Sequence, residues 1–117
     1  MSLVTIKGTC NMSRTIAPND LKPLVANKNV NVLDVRRQAD FQSDRVTLPG
    51  AQWKNPELIS EWGRDLPKDR EVVIYCARGG SVSNSVLDYL LGQGYRARYI
   101  EGGIEAWKAN GGPTEEK

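Results

Sequence analysis

The order of residues around Cys76 constrains the fold more than any other feature. The unbroken apolar run Val72-Val73-Ile74-Tyr75 ends at a cysteine, and the glycine-bearing stretch Ala77-Arg78-Gly79-Gly80-Ser81 follows. Beyond it, Val82, Val86, Leu87, Leu90 and Leu91 recur at helical spacing. A short apolar run rich in β-branched and aromatic residues reads as a buried strand, and recurrence at three and four positions reads as an amphipathic helix. Strand, tight turn and helix in that order form part of a parallel β-α-β unit, since a parallel neighbour is reached only by a crossover. A sulfur at the carboxyl end of such a strand sits among loop N–H groups beside the positive end of a helix. That is a place to hold an anion or to make a thiolate.

The same punctuation recurs along the chain. Thr15-Ile16 is a short strand candidate, Pro18 suits the first turn of a helix, and Leu21, Leu24 and Val25 give that helix an apolar face. Residues Val30 to Val35 read as a buried strand whose end carries Asp34 and Arg36, and Gln38 to Gln42 is at most a short helix. Leu48-Pro49-Gly50-Ala51 turns the chain into a short extended piece at Gln52-Trp53. Asn55-Pro56 opens a helix with Leu58, Ile59 and Trp62 on one side and Gly63 near its end. Leu66 to Asp69 is a turn, the helix after Cys76 should stop at Gly92 or Gly94, and Arg96 to Ile100 supplies the last strand. Ile104, Ala106 and Trp107 form a short final helix before Gly111-Gly112.

This alternation predicts an α/β fold, a parallel sheet of about five strands with helices on both faces. In open sheets of that kind, sites form outside the carboxyl ends of the strands. Asp34 with Arg36, Cys76, and Glu101-Gly102-Gly103 stand at three such ends and are candidates for one crevice.

Composition narrows the chemistry. A chain of 117 residues fits one domain, expected over 15–112, with 1–14 as a flexible N-terminal segment or a cloning remnant and 113–117 as a C-terminal tail. There is no histidine, which excludes a Cys-His dyad, a His-based zinc site and a Ser-His-Asp triad. A Cys76 nucleophile would therefore be acidified by loop amides, the helix end and nearby arginine, without a neighbouring base. Cys10 and Cys76 belong to no CxxC pair and are too few for a disulfide framework, which points to a reducing compartment, by default the cytoplasm. Cys10 reads as an incidental thiol unless it reaches Cys76. A net charge of +2 without a basic run speaks against nucleic acid and mildly favours small anions. No apolar stretch approaches the roughly 20 residues of a membrane span.

Val32-Leu33-Asp34-Val35-Arg36, Leu48-Pro49-Gly50-Ala51, Val73-Ile74-Tyr75-Cys76 and Glu101-Gly102-Gly103-Ile104-Glu105-Ala106-Trp107, in that order and spacing, resemble the rhodanese-like domain from about Thr15 to Gly112. The resemblance implies sulfurtransferase chemistry through a Cys76 persulfide. The donor is a small sulfur-containing anion such as thiosulfate, or a persulfide; the acceptor is cyanide, a thiol or a protein thiol. No metal or organic cofactor is implied. The loop from Cys76 through Ser81 counts six residues, the family's form for sulfur, against a seven-residue form associated with phosphate or arsenate. Cysteine-loop phosphatases place an arginine six positions after the cysteine, where this chain has Val82. A carrier or sensing module that docks to a partner, with little turnover of its own, is the other reading open to this fold.

Within that loop Gly79 and Gly80 are expected to let backbone N–H groups converge on the sulfur, and Ala77 lies between the cysteine and Arg78. Arg78 either guides an anionic donor or is simply solvated. Ser81 and Ser83 either hydrogen-bond the persulfide or cap the helix. Asp34 and Arg36 match the family's Asp-x-Arg and are expected to brace the site wall as a buried pair. Trp53 and Trp107 are core or rim aromatics, or line the pocket. Small members often carry Gly-His-Ile before the Pro-Gly-Ala turn; here Asp44-Arg45-Val46-Thr47-Leu48 leads to Pro49, and the segment from Phe41 is a little longer than usual.

Overall fold

The computed structural model describes residues 14–27, 30–66, 69–78 and 81–116. Cys10, Gly79 and Gly80 fall outside these, as does the expected N-terminal segment apart from Arg14. The elements run β1 (Thr15–Ile16), α1 (Pro18–Ala26), β2 (Val30–Asp34), α2 (Gln38–Ser43), β3 (Val46–Thr47) and β4 (Gln52–Trp53). A 3₁₀ turn (Pro56–Leu58), α3 (Ile59–Trp62), β5 (Glu71–Tyr75), α4 (Ser81–Gly92), β6 (Ala97–Ile100), α5 (Gly103–Ala109) and β7 (Glu115–Glu116) complete the chain.

Five strands form one sheet in the order β1-β6-β5-β2-β4, every pair parallel. β5 and β2 lie in register from Val30 opposite Glu71 to Asp34 opposite Tyr75. Alternation along these strands divides the core in two. Val30, Val32, Val73 and Tyr75 face α1 and α5, packing with Leu21, Ile104 and Trp107. Leu33, Val72 and Ile74 face α3 and α4, packing with Val86, Leu87 and Leu90 and with partly buried Ile59 and Trp62. Helices thus cover both faces, as the near-continuous apolar strands require.

Local signals account for the element ends. The Asn55 side chain accepts from the Glu57 N–H and caps the turn that Pro56 begins. α4 ends at Gly92, and Gly94 takes the left-handed conformation at φ 88° that carries the chain toward β6. Two features differ from the sequence expectation. Leu58 faces solvent at 45% exposure while Ile59 and Trp62 pack inward, because Leu58 sits in the 3₁₀ turn, out of phase with α3. β6 is not the last strand: β7 pairs antiparallel with β3, Val46 opposite Glu116 and Thr47 opposite Glu115.

Candidate active site

β5 delivers Cys76 to the carboxyl edge of the sheet, where the residue is buried at 7% exposure and lines an open cavity of about 700 Å³. Ala77, Arg78 and Val82 continue the lining from the loop and α4, while α5 contributes Ile104, Glu105 and Lys108. Arg36, Arg37, Asp40, Ser43 and Asp44, after β2 and along α2, complete it.

The cysteine loop is bolted to α5. The Ile104 N–H donates to the Cys76 carbonyl at 3.0 Å and the Glu105 N–H to the Ala77 carbonyl at 3.1 Å. This approach needs glycine at 103: its φ is +65°, and a Cβ there would lie 2.4 Å from the Cys76 carbonyl oxygen. Only a residue without a side chain lets the two backbones close to this distance.

Asp34 and Arg36 are both sealed from solvent and clasp each other. Arg36 Nε donates to both carboxylate oxygens at 3.0 and 2.9 Å, and one terminal nitrogen adds a bond of 2.6 Å. The remaining donors reach Asp44 at 2.8 Å and the Val46 carbonyl at 3.1 Å. The Tyr75 hydroxyl donates to Asp34 at 3.1 Å and accepts from the Leu48 N–H at 3.3 Å, while the guanidinium lies 5.6 Å from the Tyr75 ring centre and 5.5 Å from that of Phe41. Burial alone would lower the Arg36 pKa, but the hydrogen bond and charge of Asp34 prevail and raise it. Burial, with the Asp34 charge, also pushes the Tyr75 phenol up, so it stays a neutral donor. Asp44 moves the other way: burial opposes ionisation, but hydrogen bonds from Lys108, the Val46 N–H and Arg36 outweigh it and hold the carboxyl below its ordinary value. The cluster is saturated with internal bonds, which fits a brace more than a reactant.

The expected site residues therefore separate. Cys76, Ala77, Arg78 and Arg36 line the cavity; Asp34 stands behind Arg36; Ser81 begins α4. Ser83 is fully buried, does not line the cavity, and its hydroxyl has no hydrogen-bond partner among the described residues. Neither Trp53 nor Trp107 lines it. Trp107 is sealed in the core with its indole N–H on the Pro113 carbonyl, and Trp53 stacks on Phe41 at 5.0 Å and donates to the Arg36 carbonyl. Sequence reasoning missed Arg37, Asp44 and Lys108. Arg37 carried a signal, since two consecutive arginines after a strand must point different ways; Lys108 meets Asp44 at 2.9 Å across 64 positions, which no local pattern encodes. Among the described residues, no cluster of three or more His, Cys, Asp or Glu side chains is arranged to hold a metal.

Comparison with known proteins agrees with this architecture. The family model of the rhodanese-like domain matches residues 17–110. A sulfurtransferase of Allochromatium vinosum is 37% identical over 91 residues, 77% of this chain and 82% of that protein. The thiosulfate sulfurtransferase GlpE of Pseudomonas fluorescens is 33% identical over 78 residues, 66% of this chain and 69% of that one. The crystal structure of a rhodanese-related protein from Thermoplasma volcanium superposes with a TM-score of 0.78 at 25% identity, covering 89% of this chain and 99% of its own. With the sheet order, the cysteine at the strand end and these matches in agreement, the chain belongs to the rhodanese-like domain family.

Proposed function

We propose that the protein is a sulfurtransferase that carries sulfane sulfur on Cys76. The observation that supports this most directly is Cys76 in the lining of an open cavity, directly after β5, with Arg78 in the same lining. In the first step the Cys76 thiolate attacks the outer sulfur of thiosulfate, the Cys76 S–S bond forms, the donor S–S bond breaks, and sulfite departs with the electron pair. In the second, an acceptor thiolate attacks the outer sulfur of the Cys76 persulfide and Cys76 leaves as thiolate. The two half-reactions share one enzyme form, so ping-pong kinetics follow. Ala77 and Arg78, with Gly79, Gly80 and Ser81, make up the loop that receives the sulfur. Asp34 and Arg36 keep the wall in place. The cysteine count favours a reducing compartment, the cytoplasm.

Phosphate chemistry is the weaker reading, because Val82 lines the cavity with an apolar side chain where a phosphate-binding loop needs a bidentate cation. Incubation with thiosulfate followed by intact-mass measurement tests the proposal. The expected result is one added sulfur on the wild-type protein, removed by cyanide, and none on Cys76→Ser. An unmodified wild-type protein that also yields no thiocyanate refutes it.

A further inference from the structure

Two properties of the cavity exceed what a small donor anion needs. Its volume, about 700 Å³, lies within the range of roughly 300–1,000 Å³ found for sites that enclose drug-sized ligands. Its charges are mixed: Arg37 and Arg78 bring two cations without an ion-pair partner among the described residues, and Asp40 and Glu105 bring two such carboxylates. A site shaped only for a dianion would carry one sign, whereas alternating sign suits a ligand that presents backbone amides and charged groups together.

A second depression of about 220 Å³, more apolar than polar in its lining, adjoins it. Pro56, Ile59, Val82 and Val86 line this groove, with Arg37, Glu57 and Ser85 at its polar parts, and it shares Arg37 and Val82 with the Cys76 cavity, so the two hollows are neighbours. Leu58, the one large apolar side chain among the described residues classed as exposed, belongs to the same 3₁₀ turn. At this volume the groove is too small for a drug-sized ligand. It has the character of a socket for one aliphatic side chain.

Building on the sulfur-transfer reading above, we infer that the acceptor is a polypeptide thiol, whose cysteine enters the cavity while a large apolar side chain a few residues away seats in the groove between α3 and α4. The mixed charges then meet the peptide backbone and its polar neighbours. Glutathione and free cysteine have no apolar side chain to place there. Transfer follows the same balance as before: the peptide thiolate bonds to the outer sulfur, the Cys76 S–S bond breaks, and the peptide leaves as its persulfide.

The test uses two blocked hexapeptides that differ only in carrying Leu or Ala two residues after a single cysteine. Protein loaded with thiosulfate is mixed with each, and persulfide discharge is followed by mass spectrometry at sub-saturating peptide. The Leu peptide is expected to discharge at least about 10-fold faster, since burying the extra carbons amounts to more than one tenfold step. Ser85 borders the groove from the exposed side of α4, so Ser85→Trp fills the socket, and the Leu-to-Ala ratio is expected to fall to near one. A ratio measured within one protein is insensitive to any general loss of activity, and Ser85→Glu, which places a charge in the socket, gives the same reading if the tryptophan variant does not fold. Equal rates for the two peptides with wild-type protein, or a preference that survives both variants, overturn the inference. If Cys76 takes up no sulfur, the sulfur-transfer reading fails by itself, and calorimetric binding of the Leu peptide with serine in place of cysteine decides the groove. Binding lost in Ser85→Trp supports it, and absence of binding to wild type overturns it.

Discussion

Gly103→Ala isolates the close approach between α5 and the cysteine loop. The new Cβ would stand 2.4 Å from the Cys76 carbonyl oxygen and 2.6 Å from the Ala77 carbonyl carbon and oxygen. Reaching an ordinary contact of 3.4 Å displaces the Cys76 carbonyl by about 1 Å. Two costs combine. The left-handed backbone at φ +65° charges an alanine about 1–2 kcal/mol, and forcing an extra carbon into a packed region adds about 1–3 kcal/mol. The Ile104 and Glu105 N–H bonds to the loop stretch as well. Gly111→Ala is the matched comparison: its φ is +74° but nothing lies within 4 Å of a Cβ there, so only the conformational cost applies. Urea unfolding is expected to place Gly103→Ala about 2–5 kcal/mol below wild type and Gly111→Ala about 1–2 kcal/mol below. Thiosulfate-dependent persulfide formation should fall at least about 10-fold in the first variant alone, given what a 1 Å misplacement does to a reacting group. A Gly103→Ala protein that matches Gly111→Ala in stability and wild type in sulfur uptake would refute the reasoning.

Arg36→Leu leaves Asp34 buried without its counterion and is expected to cost about 3–5 kcal/mol by urea unfolding, whereas Asp34→Asn combined with Arg36→Leu costs less than the single change, because no bare charge remains. Asp44 titrates below its ordinary value when folded, so its contribution is present above the unfolded-state value of 3.8 and is lost as pH falls through the lowered folded value. Stability measured against pH should therefore show a shallower acid limb in Asp44→Asn than in wild type, and parallel limbs would contradict the pairing with Lys108 and Arg36.

The strands and their ends were legible in the sequence because they rest on local chemistry. Val72 to Tyr75 could only be buried, glycines marked the helix ends, and Asn55-Pro56 carried its own cap. Cys76 and Arg36 reached the cavity for the same reason, each fixed within one or two residues of a strand end. What was not legible depends on distant approach. Asp44 joins the site because α5 passes over it, and Lys108 supplies the second cation there. β7 has only two residues and no apolar alternation, so nothing marks it as a strand until β3 lies beside it. Trp53 and Trp107 carry the same ambiguous signal in sequence; their N–H partners, the Arg36 and Pro113 carbonyls, decide both in favour of framework. The segment that departs from the usual Gly-His-Ile pattern is also the one that provides Asp44 and Val46 to Arg36 and forms β3, so the departure carries its own ligands for the buried guanidinium.

The two bonds from α5 to the cysteine loop also bear on which sign of charge the site tolerates. The carbonyl oxygens of Tyr75, Cys76 and Ala77 are negative poles close to the sulfur along the chain, and all three are occupied, by the N–H groups of Val35, Ile104 and Glu105. An incoming anion is thus relieved of much of the repulsion those dipoles would otherwise exert. Selectivity at this loop begins with the withdrawal of acceptors, before any donor or cation is counted.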